Sequence, residues 1–109
     1  MLNYLGLIYK KSTFFGYDKN VFFNKIFPKK KNFIFFNKNF NKIKSKFDII
    51  VLSHSLFYFK NLNLFLKDLL KKITENGKIF IVIPNISKNP FYSLMGDQKV
   101  IFTKKNITN

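Results

Sequence analysis

The stretch KFDIIVLSHSLFYF, residues 46–59, decides how this chain is read. A lysine leads into a dense apolar run, and the run stops at Ser53-His54. An unbroken apolar run of that length reads as a strand covered on both faces, the kind found in parallel sheets. Ligands of such sheets bind beyond the carboxyl ends of the strands. Ser53 and His54 therefore fall at the lip of a candidate crevice rather than at an arbitrary stop.

The neighbouring segments support that reading. Residues 61–74, NLNLFLKDLLKKIT, place Leu62, Phe65, Leu66, Leu69, Leu70 and Ile73 on one stripe at helical spacing. Asn61 or Asn63 suits the start of this helix, and Asn76-Gly77 its end. KIFIVI (78–83) is a further apolar strand, closed by Pro84-Asn85. Toward the amino terminus, LNYLGLIYK (2–10) predicts a short helix weakened by Gly6. STFFGYD (12–18) predicts a strand, and NVFFNKIF (20–27) a helix capped by Asn20 and stopped by Pro28. NFIFF (32–36) predicts another strand, and NKNFNKIKSK (37–46) a polar connection. The tail from Ser87 is less regular, with TKKNIT (103–108) able to start a helix at Thr103. Strands alternating with helices predict an α/β fold: a mainly parallel sheet of about four strands flanked by helices. Asp18 would then lie at the same end of its strand as Ser53 and His54 do of theirs.

Composition narrows the function classes. A length of 109 residues suffices for one small domain, and 47% hydrophobic content is that of a globular chain. With no cysteine, disulfides and thiolate metal sites are excluded; one histidine and five carboxylates leave little for a metal cluster. Runs such as IFIVI (79–83) fall far short of the roughly 20 residues of a membrane span, and MLNYLGLIYKK lacks the order of a secretory signal. The expectation is a cytoplasmic protein without a membrane partner. The net charge of +15 invites a nucleic-acid reading, but all 20 basic residues are lysine. Arginine, the usual choice for bidentate phosphate and guanine contacts, is absent, and there is no RNA-binding aromatic motif. The charge reads first as compositional, with lysines coating a solvated face and no specific nucleic-acid partner. The alternative is a small basic non-catalytic protein that binds nucleic acid or anionic surfaces, weakly and with strong salt dependence. The phenylalanines are expected mostly in the core.

The order and spacing of these segments resemble the class I S-adenosylmethionine-dependent methyltransferases, over about residues 2–107. FFGYDKN resembles the end of that family's second strand, where an acidic residue holds the cofactor's ribose hydroxyls. KFDIIVLSHSLFYF resembles the fourth strand and its exit loop, and ENGKIFIVIPN the approach to the fifth. NPFYSLMGDQKVIFTKKNI resembles a segment of methyltransferases associated with surface polysaccharide synthesis, with Asp97, Phe102 and Thr103 kept and the family's two histidines falling on Gln98 and Ile101. Where a Leu-Glu-His often follows the fourth strand, this chain has Leu56-Phe57-Tyr58. The resemblance implies S-adenosylmethionine as cofactor and methyl transfer to a small or sugar-linked acceptor on a Rossmann-like domain. It implies Asp18 as the ribose contact with Tyr17 beside it in the cofactor site, Asn39 and Phe40 as adenine contacts, and Ser53 and His54 as lining of the cofactor cleft. His54 would be the candidate general base, since a histidine titrates near neutrality.

Each of these residues also has a plainer reading. Asp18 can serve as a turn or capping residue before the following helix, His54 as a hydrogen-bonded strand-end residue, and Asn39 and Phe40 as loop packing. Asp97 with Tyr92 can face substrate or make a turn. Asp48 reads as structural, and Asp68 and Glu75 as helix-surface charges beside lysines.

The family's first strand and its glycine-rich turn have no counterpart in these residues. LNYLGLIYKK resembles the end of the helix that follows that turn. The family's first strand lies between the second and the fourth, so its loss leaves two inner edges. Buried unpaired amides cost about 1–3 kcal/mol each, and the expectation is that residues 12–17 move beside residues 47–52. On the resemblance, the chain is one incomplete methyltransferase-like domain (1–109), Met1 is an internal methionine of a longer frame, and the chain alone is catalytically impaired.

Overall fold

The structure is a computed structural model, and it describes residues 2–18, 20, 22–26, 31–37, 40–85 and 88–94. The chain divides into two compact units, Met1–Lys44 and Ser45–Asn109. Both are mixed α/β, and each is built on one pair of parallel strands joined through a helix.

In the first unit, helix α1 (Leu2–Ile8) leads to strand β1 (Phe14–Tyr17), helix α2 (Phe22–Ile26) and strand β2 (Phe33–Phe36). The two strands pair in parallel with Phe14 opposite Phe33 and Tyr17 opposite Phe36. Aromatic rings brace this ladder: Phe14 stacks on Phe33 at 5.1 Å, and Phe15 on Phe36 at 5.7 Å across the diagonal. Asn20 caps α2 as expected, its Oδ1 accepting the Phe22 N–H at 2.9 Å. Phe33 and Ile43 are the buried apolar residues here. Gly6, which weakens α1 on propensity alone, has a packing reason. The Phe33 ring lies where its Cβ would be.

In the second unit, strand β3 (Phe47–Ser53) passes through a 3₁₀ turn, Leu56–Tyr58, to helix α3 (Leu62–Leu70) and strand β4 (Ile73–Val82). The Asn61 side chain accepts the Leu64 N–H at 3.0 Å and starts α3. Leu56, Phe57, Phe65, Leu69 and Pro84 are buried, and Phe59 stacks on Phe65. Asp68 accepts from the Lys71 ammonium at 3.1 Å, one turn along the surface of α3. Asp48 is structural as expected: its Oδ1 accepts a hydrogen bond from the Thr74 hydroxyl at 3.0 Å and links the starts of β3 and β4.

Three expectations need correction. The four strands do not share one Rossmann-like sheet; they form two two-stranded sheets, β1-β2 and β3-β4. Residues 12–17 are accordingly not paired with residues 47–52. The helix-linked parallel pair is the unit that local alternation specifies, and nothing in the periodicity of a strand names its second neighbour.

The second correction concerns where α3 ends. It stops at Leu70, not at Asn76-Gly77, and Lys71 caps it in a helical conformation. The β-branched pair Ile73-Thr74 already belongs to β4, with Ile73 opposite Phe47. The register then jumps, with Ile49 opposite Lys78, so residues 74–77 form an irregularity inside the strand.

The third is burial. β3 is not covered on both faces: Ile49 is 62% exposed and Val51 46%, while Ile50 and Leu52 between them are half-buried. Phe80 and Val82, in register with Val51 and Ser53, are exposed too. One helix per strand pair is enough for one face only. The phenylalanines are core at Phe33, Phe57 and Phe65 but exposed at Phe22, Phe23, Phe80 and Phe91. No helix among the described residues is long and apolar enough to cross a membrane.

Candidate functional site

In the first unit the carboxyl ends of β1 and β2 gather three of the expected residues. Tyr17 is the last residue of β1, and its ring meets the Phe40 ring edge-on at 5.6 Å. Phe40 opens a 3₁₀ turn, Phe40–Lys42, shortly after β2. Asp18 follows Tyr17 and extends the ladder by one bond, its N–H donating to the Phe36 carbonyl at 3.2 Å. Its carboxylate Oδ1 accepts the Asn20 N–H at 2.8 Å. The turn role weighed for Asp18 is therefore real: Asp18 holds Asn20, and Asn20 caps α2. That bond occupies one oxygen of the carboxylate, Oδ1, and leaves Oδ2 as the acceptor for a ligand. Asn39 lies outside the described residues, as do Asp97, Gln98 and the rest of the tail from residue 95.

Burial raises the Tyr17 hydroxyl above its ordinary pKa of 10.0; a backbone hydrogen bond with Phe40 opposes this, and the Asp18 charge adds to the rise. The folded chain thus holds the phenolic proton more tightly than the unfolded chain. That contribution to stability is present in full below pH 10.0 and is lost as pH rises through the higher folded value. Asp18→Asn removes a charge that disfavours phenolate, so the Tyr17 titration is expected to move down. Phenolate absorbance, taken as the difference from Tyr17→Phe in both backgrounds, measures it, and an unmoved or raised midpoint contradicts it.

In the second unit Ser53 and His54 stand together at the carboxyl end of β3, both exposed. Ser53 is opposite Val82, and the His54 N–H donates to the Val82 carbonyl at 2.9 Å. His54 has φ of 50°, in the left-handed region where few residues other than glycine sit. This turns the chain sharply out of the strand and answers why the apolar run stops there. Among the described residues no group of three or more histidines, cysteines or carboxylates is placed to hold a metal ion.

Comparison with protein-family models, with curated proteins and with solved structures finds no match to this chain. The chemistry of the site therefore rests on the residues themselves. A carboxylate beside a tyrosine and a second aromatic ring, at the carboxyl ends of parallel strands, suits a ligand with a diol and a flat ring.

Proposed function

We propose that the chain binds S-adenosylmethionine and belongs to methyl transfer onto a small or sugar-linked acceptor, in the cytoplasm. The observation that carries the reading is the grouping of Asp18, Tyr17 and Phe40 at the carboxyl end of the β1–α2–β2 pair. A helix-linked parallel pair is the building block of a Rossmann-like domain, and ribose contacts in such domains come from an acidic residue at a strand end. Asp18 fits that role with the oxygen its turn bond leaves over. Tyr17 and Phe40 fit the adenine side as an edge-on ring pair.

The cofactor, when bound, supplies a methyl group on an activated sulfonium, and the protein's share is chiefly to position donor and acceptor. Asp18 accepts hydrogen bonds from the ribose hydroxyls, and Tyr17 with Phe40 shields the flat ring from water. Ser53 and His54 carry the resemblance in the second unit, His54 as the residue able to take a hydroxyl proton on its imidazole. These residues supply ribose and ring contacts but no glycine-rich turn for the methionine part of the cofactor, so donor binding by these residues alone is expected to be weak.

Calorimetry with S-adenosylmethionine tests the reading. Binding in the high micromolar to millimolar range is expected, and Asp18→Asn should weaken it about tenfold or more, because hydrogen bonds to a charged group contribute about 1.5–3 kcal/mol. The asparagine keeps an oxygen for the Asn20 N–H, so the turn survives the substitution. Absence of heat at millimolar donor, or equal binding by Asp18→Asn, overturns the proposal.

A further inference from the structure

At the amino-terminal ends of β1 and β2, away from Asp18 and Tyr17, the first unit holds a cleft of about 420 Å³ lined by Gly6, Lys10, Thr13, Lys31 and Asn32. We infer that this cleft binds an organic phosphate monoester, with the phosphate held between the Lys10 and Lys31 ammonium groups. The inference is independent of the methyl-donor reading, which concerns the opposite ends of the same strands.

The lining residues include no acid. Lys10 and Lys31 bring ammonium groups, Thr13 a hydroxyl and Asn32 an amide that both donate and accept, and no carboxylate is among them. Nor does the unit supply an internal counter-ion. Asp18 is the sole carboxylate in residues 1–44, and it belongs to the turn before α2 at the far strand ends. The ion pair of Lys71 with Asp68 lies in the second unit. Two unneutralised cations around one concavity favour a dianion over a monoanion, and lysine binds phosphate as a compact point charge.

The frame of the cleft is preorganised. Thr13 and Asn32 immediately precede β1 and β2. The Phe14 N–H donates to the Asn32 carbonyl at 2.8 Å, and the Asn32 side-chain amide donates to the Ser12 carbonyl at 3.2 Å. The Ser12 N–H in turn donates to the Tyr9 carbonyl at 3.1 Å, closing the turn that carries Lys10. The floor is already fixed, so the ordering cost on binding falls mainly on the two lysine side chains. Gly6 cannot carry a side chain, because the Phe33 ring lies where its Cβ would be.

Size separates the ligand classes. The depression of about 420 Å³ is broadly open to solvent and wider than a bare phosphate, so it suits a ligand that keeps one side in water. A nucleic-acid backbone instead needs a groove of cations that tracks the strand. An organic phosphate of sugar size, its phosphate on the lysines and its hydroxyls toward Thr13 and the α1 backbone, is the ligand the lining suits.

The test is a titration of the full chain at low salt with glucose 6-phosphate, glucose, inorganic phosphate and a single-stranded oligonucleotide, read by calorimetry and by amide chemical shifts. Glucose 6-phosphate is expected to bind, to bind more tightly than inorganic phosphate, and to shift the amides of Gly6, Lys10, Thr13, Lys31 and Asn32; glucose is expected not to bind. Lys10→Gln with Lys31→Gln should weaken it at least tenfold, whereas Lys46→Gln with Lys67→Gln, which removes equal charge elsewhere, should change it less than twofold. Equal weakening by the two pairs, shifts centred elsewhere, or no binding by the wild type each overturn the inference. Inorganic phosphate binding as tightly as the ester overturns the organic-phosphate assignment, and so does an oligonucleotide that competes from the same residues with higher affinity. The shift map is read on the wild type, so it decides even where a variant fails to fold.

Discussion

Leu69→Ala is expected to destabilise the second unit by about 2–5 kcal/mol, the range for deleting a fully buried leucine side chain. Leu69 is 0% exposed, on the face of α3 that also buries Phe65. The buried set of this unit is small, so each member carries a large share of the apolar area removed from water. Small domains are stable by only about 5–15 kcal/mol in total, and the substitution removes a large part of that. The neighbouring Leu70 is 62% exposed, and Leu70→Ala should cost no more than about 0.5 kcal/mol. Urea unfolding of the two variants, followed by circular dichroism, gives the comparison. Similar losses at the two positions would mean that α3 does not bury the face assigned to it.

The next largest effect is expected at Gly77. A Cβ there would stand 2.5 Å from Ile73 Cγ1, 2.9 Å from its Cδ1 and 3.0 Å from the Phe47 carbonyl oxygen. The isoleucine can rotate away, but the carbonyl belongs to β3 and can move only with the strand. Gly77→Ala therefore overpacks the irregular stretch between Ile73 and Lys78, at about 1–3 kcal/mol. Gly77 does not adopt a left-handed φ, so the loss comes from crowding and not from backbone strain. A double-mutant cycle separates the two neighbours. Ile73→Ala should recover part of the loss in the Gly77→Ala background. If it recovers nothing, the isoleucine is not the obstacle; if Gly77→Ala is neutral, the close approach is absent.

The amino acids spoke clearly about local pieces. Apolar runs alternating with helical stripes pointed to parallel strands linked through helices, and both pairs are of that kind. Asn20 and Asn61 were legible as caps because the residues that follow them begin helical spacing. What local pattern does not carry is the partner of a strand's second edge, and so the single four-stranded sheet was not obtained. The stripe running on through Leu70 and Ile73 hid the end of α3, since an apolar residue at the right spacing suits a helix and a strand alike. Gly77 looked like a helix stop and is a point of close approach instead.

The site was legible unevenly. Asp18 was weighed as ligand contact and as turn residue, and the turn bond is present while leaving an oxygen over. The ring contact between Tyr17 and Phe40 joins residues that only a parallel pair brings side by side. Lys10 and Lys31 went unremarked because nothing distinguishes two lysines among 20 until the strands set Thr13 and Asn32 between them.

The two short ladders have a consequence for how the molecule behaves in a crowd. Each described strand has a neighbour on one side only, and the β3–β4 ladder shows Ile49, Val51, Phe80 and Val82 to solvent. Such rims are templates for cross-molecular zippering, and like-charged coats are a known deterrent to it. The surplus of 20 lysines over five acids then acts as a colloidal brake that works through mutual repulsion. Its reach shrinks from about 30 Å at 0.01 M salt to about 8 Å at physiological strength. Raising the ionic strength weakens that brake and brings separate molecules together sooner.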